Sequence, residues 1–542
     1  MTVSWPKLTP VLATNRRFGC SAPRNICGAC LPPLPPRDVT QAPGPAGPDN
    51  PAPMKRIQQR LARIPEGSAV LFMIQVFATL GFAVLQSTLV LYATRRMGFS
   101  SDQAALMMGL FGAFNYGLHL FGGYLGGRFL SNRNLFVGGM LLQVLGCGSI
   151  AGGSLAGLYW GLALFLTGSG LNVTCLNMML TQRFAPEDDR RESAFLWNYA
   201  GMNVGFFIGF TVAGQYQLDE AYGAIFWFAT LGNAMAIVLA AVFWRTLADR
   251  HTPLSHRHGA AFWGRFGVGV AVLAGLVPLL AWLLQHPSDT ATGMKLLCYA
   301  VGLALAVLTW RHPVAAEKRR MQAYLVLTLG SLVFWSLYQM APNGLQMFAV
   351  GNVWMNVWGV PVAPQWVQNI NTVVIVIGGP WLAALFARWR ARGWPVDIPA
   401  QFSASLVLMG LGFLALPLGI HLADPATGRS DFVWLLLSYV LQSVGELLIS
   451  PVGYAMIGRL APRQYQGVMM GSWMLVTGLA SLYAGDFSGV VAQPVDGSAL
   501  ATNAAYAQLF TQLAIGSLVT GALMWALRPW LRRLIDGGPA AG

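Results

Sequence analysis

Windows of about 20 apolar residues, the length that crosses a bilayer as a helix, recur along the chain with short polar breaks between them. They fall at about 69–93, 104–129, 134–154, 157–181, 194–216 and 222–244, then at 263–284 and 293–310. A last group lies at about 321–349, 365–388, 401–422, 432–458, 467–491 and 504–527. The pattern predicts an all-α membrane protein of fourteen transmembrane helices, arranged as six, two and six. The expected units are therefore a six-helix bundle over 54–244, a linker with two extra helices over 245–320, a second six-helix bundle over 321–530 and a tail over 531–542. Two such halves suggest a transporter made of repeats, with its site at their interface near mid-membrane. The middle pair is read as free of ionisable residues within its spans, so its expected role is peripheral.

Before the first span, residues 1–53 are rich in Pro, Ala and Gly (LPPLPPRDVTQAPGPAGPDNPAP) and hold no membrane-length apolar run. That composition predicts a disordered tail. Met54 opens the basic stretch MKRIQQRLARIPEG and is an alternative start.

Composition agrees with the spans: 55% of the 542 residues are hydrophobic and 10% charged, against roughly a quarter charged in soluble proteins. A net charge of +14 would point to nucleic acid in a soluble chain. Here the basic residues sit in the connections, and topology accounts for them. Counting alternate sides, 25 Lys and Arg fall on the side of Met54, and only Arg95, Arg96, Lys295 and Arg429, four residues, on the other. This predicts a multi-pass inner-membrane protein with both termini in the cytoplasm. The six cysteines imply no disulfide framework, and Cys27-Gly-Ala-Cys30 has no second half with which to bind a metal. A membrane enzyme would gather nucleophile, base or metal ligands at one face; no His-x-x-Glu pair or Cys/His cluster does so. No cofactor, metal or nucleic acid is expected, and the chain is read as a monomer whose partners are lipid, a small solute and protons.

The sharpest candidate for chemistry is Glu446, alone near the middle of WLLLSYVLQSVGELLISPVGYAMIGRL. A charge at that depth costs roughly 3 kcal/mol on insertion scales, so it faces a cavity or a partner. Gly445, Ser450, Pro451 and Gly453 around it weaken the helix, as membrane helices tolerate where neighbours re-satisfy the backbone. The bland reading is a kinked packing helix whose Glu meets a neighbouring hydroxyl.

Three stretches carry a family resemblance. GELLISPVGYAMIGRLAPRQYQGVMMGSWMLVTGLASLYAG, Phe334-Trp335-Ser336-Leu337-Tyr338-Gln339 with WVQNINTVVIVI, and DRRESAFLWNYAGMNVG resemble the tenth and eleventh, the seventh and eighth, and the fifth helices of the proton-dependent oligopeptide transporter family. This family is a branch of the major facilitator superfamily, and the resemblance covers about Ala69 to Trp530. It implies the major facilitator fold and uptake of di- and tripeptides with protons. On matching positions it implies that Glu446 and Asn371 grip the peptide amino group, and that Asn203, Tyr116, Trp335, Ser450 and Trp473 line the pocket. A buried carboxylate beside an amide suits an ammonium guest.

The other side departs from the family. Its first-helix Glu-x-x-Glu-Arg falls on Gln75, Ala78 and Thr79, its fourth-helix Lys on Val173 and its seventh-helix acid on Gln339. Losing such a group together is nearly neutral, whereas losing one buried partner costs roughly 3 to 5 kcal/mol, so the reading is a rebuilt site. His119, three residues after Tyr116 and on nearly the same face, is read either as a compensating proton carrier or as a neutral histidine bonded to a backbone carbonyl. Gly127 stands where the superfamily has a gating Asp, and Asp188, Asp189, Arg190 and Arg191 are candidates for a replacement pairing. Asp486 is assigned no role. The resulting expectation is a secondary transporter of peptides or another amine-bearing solute, coupled to protons through Glu446 and His119. The alternatives are an uncoupled facilitator or exporter of a non-peptide solute lacking a carboxylate, and a transport-inactive, sensor-like relative.

Overall fold

The structure, a computed structural model, describes residues 67–184, 188, 190–250, 252–394, 396–491 and 498–536. The leading tail with its cysteines and Asp189 lie outside the described residues. The first six helices are α1 (Ser68–Arg95), α2 (Ser101–Leu125), α3 (Asn132–Ala151), α4 (Leu155–Thr181), α5 (Arg190–Leu218) and α6 (Tyr222–Val242). Two more follow, α7 (Ala260–Gln285) and α8 (Pro287–Trp310). The rest are α9 (Ala315–Tyr338), the short α10 (Gly344–Asn352), α11 (Pro364–Ala391), α12 (Ile398–His421), α13 (Phe432–Leu460), α14 (Gln466–Gly489) and α15 (Ala499–Asp536). A two-stranded hairpin, Asn356–Val357 with Val360–Pro361, precedes α11.

With α10 set aside, fourteen long helices match the sequence pattern. Among the described residues thirteen are long and apolar enough to span by composition; the other, α5, has 29 residues and starts with Arg190 and Arg191. Helices suit this solvent because hydrocarbon offers no partner to an unpaired backbone group. Their ends are closed by side chains: the first-turn amides of α3, α4, α12 and α13 donate to Ser131, Ser154, Asp397 and Asp431.

The expected span 321–349 divides in two. Pro342, which has no N–H and cannot continue a helix, lies in the break between α9 and α10, with Asn343 just before Gly344 opens α10.

Two six-helix bundles hold separate apolar cores. One is built on residues such as Leu85, Phe111, Phe165 and Phe226, the other on Phe334, Phe402, Phe413 and Phe510. Between helices, close approach depends on glycine. A Cβ at Gly168 of α4 would sit 2.1 Å from the Gly139 carbonyl oxygen of α3, and one at Gly146 2.6 Å from that of Gly161. The backbones touch where side chains would hold them apart, the usual device for packing in lipid.

The middle pair is not free of ionisable residues, contrary to the expectation. Lys295 lies inside α8, and its Nζ reaches Asp486 Oδ2 of α14 at 2.6 Å. Tyr299 and Tyr483 hydroxyls meet beside it at 2.5 Å, while Leu280 and Ala281 of α7 join the core of the first bundle. Asp486 thus has a partner, and the pair is fastened to both bundles.

At the loop after α2, Gly127 has φ +72°, a conformation glycine adopts without strain, and its carbonyl accepts from the Leu254 amide at 2.9 Å. The carboxylate there comes from elsewhere. Asp249 Oδ2 accepts from the Asn132 backbone N at 2.7 Å and from Asn132 Nδ2 at 3.1 Å, placing an anion at the positive end of α3. Burial pushes the Asp249 carboxyl above its usual range, and the Asn132 and Arg133 backbone donors hold it down in part. Asp188 pairs with Arg190, two residues on, at 2.7 Å.

Candidate functional site

Glu446 sits in the middle of α13, 8% exposed, in a helix loosened one turn later. Pro451 removes the amide that would donate to the Leu447 carbonyl. The carboxylate is held by neutral groups. Asn371 of α11 donates from Nδ2 to Glu446 Oε2 at 2.7 Å and to Ser443 Oγ at 3.1 Å. The side chains of Tyr338 and Ser450 also lie near the carboxylate. Ser450 lies one turn on, so α13 supplies acid and hydroxyl from one face.

Facing this cluster, Tyr116 of α2 accepts a hydrogen bond from Gln339 Nε2 at 3.2 Å. Since Gln339 directly follows α9, that bond joins the two bundles beside Glu446. Trp335 packs edge-on to Phe334 and Tyr338, with ring centroids 5.3 and 5.4 Å apart. Its indole Nε1 is buried without a partner among the described residues. His119 presents its ring edge to Tyr116 at 5.9 Å, and its Nε2 is likewise buried without a partner among the described residues.

Not every candidate joins the cluster. Asn203 donates back to the Tyr199 carbonyl of its own helix at 2.9 Å. Trp473, 2% exposed, belongs to the core of the second bundle and fits against Gly453, where a Cβ would lie 2.4 Å from its ring. Glu446, Asn371, Ser450, Tyr116 and Trp335 are brought together; Asn203 is bonded within its own helix and Trp473 is packed in the core of the second bundle.

At the first-helix positions that depart from the family, polar side chains bond one another. Gln75 donates to Thr79 Oγ1 at 3.1 Å and accepts from Asn198 Nδ2 of α5 at 3.2 Å, and Thr79 donates to the Gln75 carbonyl at 2.8 Å. A neutral, mutually bonded set thus stands there, while Val173 is 37% exposed.

Sequence reading overlooked Tyr338, Ser443 and Asn198. For Ser443 the signal was available, because it precedes Glu446 by three residues and shares its face. For Tyr338 and Asn198 it was not, since their partners lie on other helices.

Comparison with known proteins agrees with the fold. The POT family pattern matches residues 134–504. A dipeptide and tripeptide permease A of Citrobacter koseri is 29% identical over 494 residues, covering 90% of this chain and 96% of its own. The permease of the same description from Erwinia pyrifoliae is 30% identical over 485 residues, with 87% and 95% covered. Among solved structures, a peptide transporter POT in complex with sulfate superposes with a TM-score of 0.77 at 25% identity, covering 89% of this chain and 99% of that one.

Proposed function

The chain belongs to the POT family of membrane transporters, and on that footing we propose that it carries di- and tripeptides, or a related amine-bearing solute, by alternating access. It is a multi-pass protein of the inner membrane and not an enzyme. The observation that carries the substrate reading is the Glu446 carboxylate, set at mid-membrane among Asn371, Tyr338 and Ser450. An ammonium docked there pairs with the acid in a low dielectric, and the surrounding hydroxyls and amide oxygens accept its remaining protons. Support for the peptide class comes from the dipeptide and tripeptide permeases that align along nearly their whole length.

Coupling is part of the same proposal. A proton and an ammonium compete for Glu446, so release of one accompanies arrival of the other. His119, its Nε2 unpartnered beside Tyr116, relays protons to the cluster. The monomer is the working unit, and both termini face the cytoplasm, a reading that the Lys and Arg bias supports. In that orientation three further bonds between the bundles lie at the outer end. Trp366 Nε1 donates to the Thr211 carbonyl at 2.9 Å, Gln365 Nε2 to Gln217 Oε1 at 3.0 Å, and Asn343 Nδ2 to the Ala105 carbonyl at 3.0 Å. This arrangement fits an inward-facing state.

The test is uptake of labelled dipeptide by vesicles reconstituted with the protein, with and without an imposed proton gradient. Because proton and ammonium exchange at Glu446, accumulation is expected in the wild type when the vesicle interior is more acidic than the medium, and it should be lost in Glu446→Gln. Unchanged accumulation in that variant rules the mechanism out.

A further inference from the structure

Charge balance at the cluster constrains the far end of the guest as well as its amine. Apart from Glu446 and His119, every Asp, Glu, Lys, Arg and His of the described helices lies toward a helix end: Arg95, Asp102, Arg133, Lys295, Arg388 and Asp486 are typical. The groups around Glu446 are all neutral, namely Asn371, Tyr338, Ser443, Ser450 and, across the bundles, Tyr116 and Gln339. Behind them, Gln75, Thr79 and Asn198 are neutral and spend their hydrogen bonds on one another. One acid stands in the membrane-depth region, with no lysine or arginine among the described residues to oppose it.

From this geometry we infer that the preferred guest is a monocation: a primary amine whose other end carries no carboxylate, such as a peptide with an amidated C-terminus or an amino-acid amide. The inference rests on Glu446 holding the amine. A cation of this kind leaves site and guest neutral together. A zwitterionic peptide satisfies Glu446 with its ammonium but brings a carboxylate into a region that offers it amides and hydroxyls only. An ion taken from water without a partner is disfavoured. Gln339 suits an uncharged end, because its amide oxygen can accept from an amide N–H.

The test uses the full chain in lipid nanodiscs and calorimetric titration at pH 6.5, where an α-amino group with a pKa of about 7.7–8.0 is protonated. Four ligands are compared: alanyl-phenylalanine, its C-terminal amide, its N-acetyl derivative and the N-acetyl amide. The amide is expected to bind at least tenfold more tightly than the free acid, and both acetylated forms at least tenfold more weakly than the amide. A free acid that binds within tenfold of the amide, or better, overturns the inference, and weak acetylated forms then leave the amine reading standing. Acetylated forms that bind as well as the amide, or failure of all four to bind, overturn the amine reading and the inference with it.

Discussion

Replacing Glu446 by Gln changes one thing at the site, its charge, and the structure sets the size of the effect. Gln has nearly the same shape, and its amide oxygen can still accept from Asn371 Nδ2, which now lies 2.7 Å from Oε2. The fold should therefore survive. With Ser443, Ser450 and Tyr338 all neutral, nothing else nearby can answer an ammonium. Removing one partner of a buried ion pair costs roughly 3 to 5 kcal/mol. At 1.36 kcal/mol per factor of ten, affinity for an amine ligand should fall about 10²- to 10⁴-fold. Partial wetting of the cavity moves the result toward the lower limit. The assay is calorimetric titration of the purified variant with alanyl-phenylalanine amide, alongside its melting temperature. A loss below tenfold in a variant that melts with the wild type would refute the reasoning, because Glu446 would then not be holding the amine.

Gly168→Val should prevent assembly of the first bundle. Its Cβ would meet the Gly139 carbonyl oxygen at 2.1 Å, a backbone atom that cannot turn aside, and forced overpacking of this kind costs roughly 1–3 kcal/mol or more; size-exclusion chromatography of the solubilised protein should show loss of the monodisperse peak. Gln75→Glu places an uncompensated acid beside Thr79 and Asn198, at a cost of roughly 2.5–3.5 kcal/mol by insertion scales, and a melting temperature equal to wild type would contradict the neutral-network account. Asp249 has its carboxyl pushed up by burial, so the folded state holds this proton more tightly than the unfolded one. Its contribution to stability should therefore fall as pH rises from about 3.8 through the raised value, then level off; in Asp249→Asn the melting temperature should lose that slope. Lys295→Ala breaks a pair whose side chains are 22% and 39% exposed, so it should cost under about 1 kcal/mol, read as a small shift in melting temperature.

The spans were legible along the chain because lipid imposes a length and a polarity that do not depend on which helix packs where. Glu446 was legible for the same reason: a charge among apolar residues stands out whatever surrounds it. Pro342 could have been read as the break between α9 and α10, yet a long apolar window hid it. What the neighbours of Glu446 are was another matter. Tyr338, Asn371 and Tyr116 come from three helices far apart in sequence, and only their packing decides that an amide and hydroxyls, and among the described residues no lysine or arginine, meet the acid. The same holds for Asp249, a loop carboxylate whose role at the start of α3 follows from a 2.7 Å approach across 117 residues. Apolar periodicity determines which segments enter the membrane; side-chain contacts between them determine which groups meet Glu446.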